Sequence, residues 1–134
     1  MDATSNKYTY HRDATLPRTG EVFCFGSNLR GAHGAGAAKA ALQYGAKMGQ
    51  GVGRMGNAYA IPTKDENIQT MSIEMIRPYI AQFIEHATAN PDTQYFITRI
   101  GCGLANYTDA QIAPLFVGAP LNCSFADNWR RYLN

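Results

Sequence analysis

Glu21-Val22-Phe23-Cys24-Phe25-Gly26-Ser27-Asn28, then Leu29 to Gly36, then Ala37-Ala38-Lys39-Ala40-Ala41-Leu42-Gln43-Tyr44, is the stretch on which the architecture turns. Its first five residues are a compact apolar run rich in β-formers and read as a buried strand. Gly26-Ser27-Asn28 opens a loop that carries Gly31, Gly34 and Gly36. The alanine-rich segment that follows is strongly helix-forming, and Gly45 is a natural stop. The order is strand, glycine loop, helix.

Working outward, Tyr8, Tyr10 and His11 alternate weakly and lead to the turn signal Leu16-Pro17-Arg18-Thr19-Gly20. Residues 1–20 therefore read as an N-terminal arm or a short edge strand. On the other side lies a second glycine cluster at positions 45, 49, 51, 53 and 56, then Asn57 to Ile61, a strand broken at Pro62. Ser72 is placed to cap a helix whose apolar side is Ile73, Ile76, Ile80, Phe83, Ile84 and Ala87, ending before Asn90-Pro91. Pro78 inside it predicts a kink or a later start. Gln94 to Ile100 is the clearest strand and ends at Gly101-Cys102-Gly103. Asp109 to Phe116 reads as a short helix capped by Thr108, and Leu121 to Phe125 as a last strand. Strands alternating with helices predict an α/β fold with a mostly parallel central sheet, and 134 residues are one domain's worth of chain.

Composition excludes several classes. With 46% hydrophobic residues the chain is globular rather than disordered. No window nears the roughly 18 apolar residues of a membrane span, and the first residues have no leader character, so a cytoplasmic protein is expected. Cys24, Cys102 and Cys123 are an odd number at long spacings, which suits free thiols in a reducing interior. The histidines and cysteines never fall at metal-ligand spacing, so neither metal nor other cofactor is expected. The net charge of +2 is too mild to imply DNA or RNA. It is uneven, however: from Val22 to Lys64 there is no acid, while Arg30, Lys39, Lys47, Arg54 and Lys64 are all basic. Nine of the 13 glycines lie in that stretch, which favours close approach of backbone N–H groups to an anion.

Two strands thus end in glycine turns, at Gly26-Ser27-Asn28 and at Gly101-Cys102-Gly103. In open α/β sheets ligands bind beyond such ends, and a helix starting near Ala35 would add its free amides. A phosphate or diphosphate fits, although tight turns alone would also use these glycines. Standard nucleotide motifs are missing. No Gly-Lys pair exists for a P-loop, and a GxGxxG begun at Gly34 meets Lys39 at its sixth position. Asn28 suits a ribose hydroxyl or a polarised water, or simply turn chemistry. His33 is a candidate acid/base or phosphate contact, or else an exposed loop histidine that packs or caps. Cys102 is a candidate nucleophile or a small residue in a tight loop. Asp65 would orient a ribose or a base, or stay solvated beside Lys64. Tyr107 would stack on a sugar or base, or lid the core. His86, on the longer predicted helix, is expected in solvent.

Val22 to Leu29 with Gly31-Ala32-His33-Gly34-Ala35-Gly36-Ala37-Ala38 resembles a group of small bacterial and phage proteins with a macrodomain-like fold. Gly56 to Asp65, Ile100 to Tyr107 and Ile112 to Phe116 match the same group, so the resemblance spans about residues 8 to 130. It implies a three-layer, Rossmann-like fold and binding of ADP-ribose or a related nucleotide, which some macrodomains hydrolyse from proteins or small molecules. The first phosphate loop would involve Gly26, Ser27, Asn28, Gly34, Ala35 and Gly36. The second would be Gly101, Cys102, Gly103, Leu104 and Ala105, with Asp65 and Tyr107 nearby. Asn28 and His33 would be the catalytic pair if the chain is a hydrolase. The alternatives are a non-catalytic protein that binds or sequesters a nucleotide signal, and a structural or interaction module. The run of three glycines typical after the asparagine is absent here, and Gly101-Cys102-Gly103 stands where a Ser- or Thr-containing loop is usual.

Overall fold

A computed structural model describes residues 8–133. Its strands are β1 (Thr9–His11), β2 (Val22–Asn28), β3 (Gly53–Met55), β4 (Ala58–Lys64), β5 (Tyr95–Ile97) and β6 (Cys123–Ala126). Its helices are α1 (Gly36–Ala41), α2 (Ile73–Ala89), α3 (Asp109–Ile112) and α4 (Arg130–Leu133), with 3-10 turns extending α1 and α3 and preceding α4. One sheet holds all six strands in the order β1-β6-β5-β2-β4-β3. Every pairing is parallel except the β3–β4 hairpin. The expected α/β class with a mostly parallel sheet is what the chain adopts, and β1 is an edge strand. Residues 1–7 of the anticipated arm lie outside the described residues.

Strand alternation sorts the core into two layers. Val22 and Cys24 of β2, Tyr59 and Ile61 of β4 and Tyr95 and Ile97 of β5 pack with Ile76, Ile80 and Phe83 of α2 and with Ile112, Phe116 and Trp129. Phe23, Phe25, Ala58, Ala60 and Phe96 point the other way, toward Ala38 and Ala41 of α1. Helices therefore cover both faces. Small side chains on α1 let it lie close to β2.

Several boundaries differ from the sequence reading. β2 does not stop at Phe25; it continues through Gly26 and Ser27 to Asn28 because β4 beside it continues too. Pro62 does not break β4. Phe23 N–H donates to the Asn57 carbonyl at 2.8 Å, so by alternation Pro62 faces the β3 side, where β3 has already ended opposite Ala60. Its missing N–H costs no ladder bond there. β5 is shorter than the predicted Gln94–Ile100: after Ile97, Thr98 instead gives its N–H and hydroxyl to the Cys24 carbonyl. α2 begins at Ile73, with Ser72 Oγ accepting from Met75 N–H at 3.2 Å, and runs through Pro78. Glu74 and Pro78 are both exposed, so water can reach the Glu74 carbonyl that lacks a donor. β3 was not foreseen, and β6 lies two residues later than its prediction began. The Thr108 cap of α3 is a full capping box with Gln111. Among the described residues no helix is long and apolar enough to cross a membrane.

Candidate functional site

From the central strand β2 the chain steps to β4 on one side and later to β5 on the other. The crevice at such a reversal lies beyond the carboxyl ends of the strands. A cavity of about 750 Å3 occupies it. The two glycine turns meet at Gly26: a Cβ there would stand in ordinary contact, 3.5 Å from Gly101 N and 3.6 Å from Ile100 Cγ2. Across the cavity, a Cβ on Gly36 would be 3.6 Å from Leu104 Cδ1. Gly36 has φ +58° and Gly101 φ +80°, both left-handed, so glycine suits both turns.

Gly26, Ser27, Asn28, Gly34, Ala35, Gly36 and the whole Gly101–Ala105 run line the cavity, as the two-loop reading requires. Among the described residues the amides of Gly34, Ala35, Gly101, Gly103, Leu104 and Ala105 have no acceptor. α1 starts without a side-chain cap and without an acid in its first turn. Free donors thus come from both loops.

Asn28 is 9% exposed, and its amide is largely taken. Nδ2 donates to the Ala32 carbonyl at 2.8 Å, and Oδ1 accepts from Ala32 N–H at 2.9 Å. It clamps the first loop and keeps one hydrogen and one lone pair for anything else. The second glycine cluster braces this loop from behind. Gly49 N–H donates to the Gly31 carbonyl, and Ser27 Oγ donates to the Gly51 carbonyl.

Other predicted residues are elsewhere. His33 does not line the cavity: it is 1% exposed, edge-on to Phe25, with Nε2 2.9 Å from the Gln50 carbonyl. A carbonyl only accepts, so Nε2 carries a proton, and the buried Nδ1 has no partner among the described residues. Asp65 also lies off the wall; its Oδ1 caps the turn after β4 by accepting from Asn67 and Gln69 N–H. Tyr107 packs on the main core and donates its hydroxyl to the Met71 carbonyl, the lid role of its two readings. Cys102 is on the wall, but burial first, then the Asp109 charge, push its thiol up to about 12. His86 is half-buried, not solvated: its ring lies against Tyr59 and Tyr95, and its Nε2 has no partner among the described residues.

The sequence reading missed much of the wall. Segment 13–16, Thr63, Lys64, Ile68, Thr98 and Arg99 contribute, above a floor of Phe23 and Phe96. His11 stacks on Phe96 at 3.8 Å and shares a 2.8 Å hydrogen bond with Ser124. Burial lowers the His11 pKa despite a hydrogen bond to the Ile97 backbone. Of the five basic residues in the acid-free stretch, only Lys64 reaches the cavity. Its second cation is Arg99, from outside that stretch. Parallel pairing of β1 with β6 is what carries His11 and the following residues here, and local sequence holds no sign of that pairing.

Among the described residues no three His, Cys, Asp or Glu side chains gather closely enough to hold a metal. Comparison with protein-family models, with curated proteins and with solved structures gives no match.

Proposed function

We propose that this chain is a macrodomain-like protein that binds an ADP-ribose-type nucleotide in the cavity, with the diphosphate on the free amides of Gly34, Ala35, Gly101, Gly103, Leu104 and Ala105. One observation carries the reading: unpartnered amides from two glycine loops wall the same cavity, at the strand-order reversal of a parallel sheet. Lys64 adds positive charge, and the volume is that of an ordinary small-molecule site. The apolar floor of Phe23 and Phe96 suits the face of a base or sugar. Asn28 has one donor and one acceptor left for a ribose hydroxyl.

Binding without turnover is favoured over hydrolysis. His33 is buried on Gln50, and the raised thiol pKa of Cys102 keeps it protonated and poorly nucleophilic. Titration calorimetry with ADP-ribose, with AMP and NAD as controls, tests the reading. Saturable heat with ADP-ribose, weaker with the single phosphate of AMP, is expected, as is recovery of intact ligand after long incubation. Ligand at 100 times its dissociation constant should add about 2.7 kcal/mol of stability. No heat with any of the three would overturn the proposal, and steady loss of an ADP-ribosyl linkage would restore the hydrolase.

A further inference from the structure

The second glycine loop begins at a guanidinium with two unequal partners. Arg99 Nε and Nη2 donate to Asp109 Oδ1 and Oδ2 at 2.9 and 2.7 Å. Asp109 Oδ1 also accepts from the indole N–H of the fully buried Trp129 at 2.7 Å. This bidentate pair fixes the plane of the fork. The remaining terminal nitrogen, Nη1, donates to Asp13 Oδ2 at 3.0 Å. Asp13 is held far less firmly. Its side chain is 44% exposed, it follows β1 in an irregular segment, and its other oxygen caps Ala14 N–H at 2.9 Å. Ala14 has φ +65°, uncommon for alanine. Arg99 and Asp13 both line the cavity, and Asp13 is the one acid among its lining residues.

We propose that Arg99 Nη1 is an anion-binding group of this cavity, that Asp13 is the internal anion occupying it, and that a ligand phosphate oxygen displaces Asp13. The ligand's identity rests on the nucleotide reading above; the exchange itself needs only an anionic oxygen. Asp109 keeps Arg99 charged and oriented throughout, so the exchange swaps one charge-assisted hydrogen bond for another. A diphosphate carries at least two negative charges against the single one of Asp13, and it can also accept from the free Gly101 and Gly103 amides of the same loop. A single half-exposed ion pair is the weaker contact and the one to yield. Its release frees segment 13–16, which walls the cavity, so occupancy by an anion and the position of that wall are coupled.

The test compares wild type, Asp13→Asn and Glu85→Gln by calorimetry with ADP-ribose and with inorganic pyrophosphate at low ionic strength. Glu85→Gln removes one negative charge from α2, outside the cavity, and controls for net charge. Asp13→Asn should bind both probes about threefold or more tighter than wild type, while Glu85→Gln changes little. Equal tightening in both variants, or none in Asp13→Asn, overturns the exchange but leaves the nucleotide reading standing wherever ADP-ribose binds wild type. Tighter pyrophosphate binding by Asp13→Asn without ADP-ribose binding by any form supports the exchange and removes the nucleotide. No anion bound by any form overturns both. NMR of wild type gives a measure that needs no variant. Pyrophosphate should shift the Ala14 amide and leave the Trp129 indole proton in place; an unmoved Ala14 at saturation overturns the proposal.

Discussion

A methyl group at position 51 would sit 1.9 Å from the Asn28 carbonyl oxygen, well inside contact distance. Gly51→Ala must therefore push the bracing loop off the first phosphate loop. A loss of about 1–3 kcal/mol is expected in urea unfolding. Gly34→Ala meets nothing within 4 Å and should leave stability nearly unchanged, which makes it the internal control. Equal midpoints for the two variants would refute the bracing role. The glycine content of 45–56 is legible in the sequence; its purpose is not, because a close approach between Ser27 and Gly51, 24 positions apart, leaves no local signal. Side-chain roles were still less readable. Of the alternatives for His33, Asp65 and Tyr107, only the core lid of Tyr107 describes the position seen; His33 is buried rather than exposed, and Asp65 caps a turn rather than standing solvated. Asn28 lines the cavity but spends most of its amide on its own loop.

Elements were more legible than residues, and helices more than strands. Ser72, Thr108 and Gly45 each end or begin a helical segment as their chemistry dictates, since capping is a local hydrogen-bond problem. Pro78 does not delay the start of α2, because propensity takes no account of the tertiary packing of Ile76, Ile80 and Phe83 that holds the helix through it. Pro78→Ala restores the missing donor to the Glu74 carbonyl on an exposed surface. It should stabilise the protein by about 1 kcal/mol or more, read as a higher thermal midpoint. An unchanged or lower midpoint would show that Pro78 stiffens the unfolded chain by more than it costs the helix. Strand lengths depended on neighbours: β2 lengthens because β4 runs beside it, and β5 ends where Thr98 turns to the Cys24 carbonyl.

For the whole molecule, acid should destabilise in two stages. Burial lowers the His11 and His86 pKa values below 6.5, so the unfolded chain takes up those protons first. Stability then falls as pH drops below 6.5 toward the folded values. At Asp109 burial opposes ionisation, but hydrogen bonds from Arg99 and Trp129 outweigh it and hold the carboxyl below 3.8. That contribution persists above 3.8 and is lost as pH falls through the folded value. Urea midpoints measured from about pH 7.5 downward should decline first below 6.5 and again below 3.8, and a flat profile between 7.5 and 5 would overturn the histidine stage. The Asp109 stage concerns the same network that ties the second glycine loop to the carboxyl-terminal Trp129 and, through Arg99, to the segment after β1. The sequence by itself determined the α/β class, the strand–loop–helix order and the two glycine turns, because periodicity, capping and backbone freedom act over a few residues. Only the tertiary structure decided that those turns share one cavity, that Arg99 and Asp13 face each other across 86 positions of chain, and that His33 turns away. Strand order and parallel pairing join residues with no local relation, and that long-range geometry is what makes the candidate site.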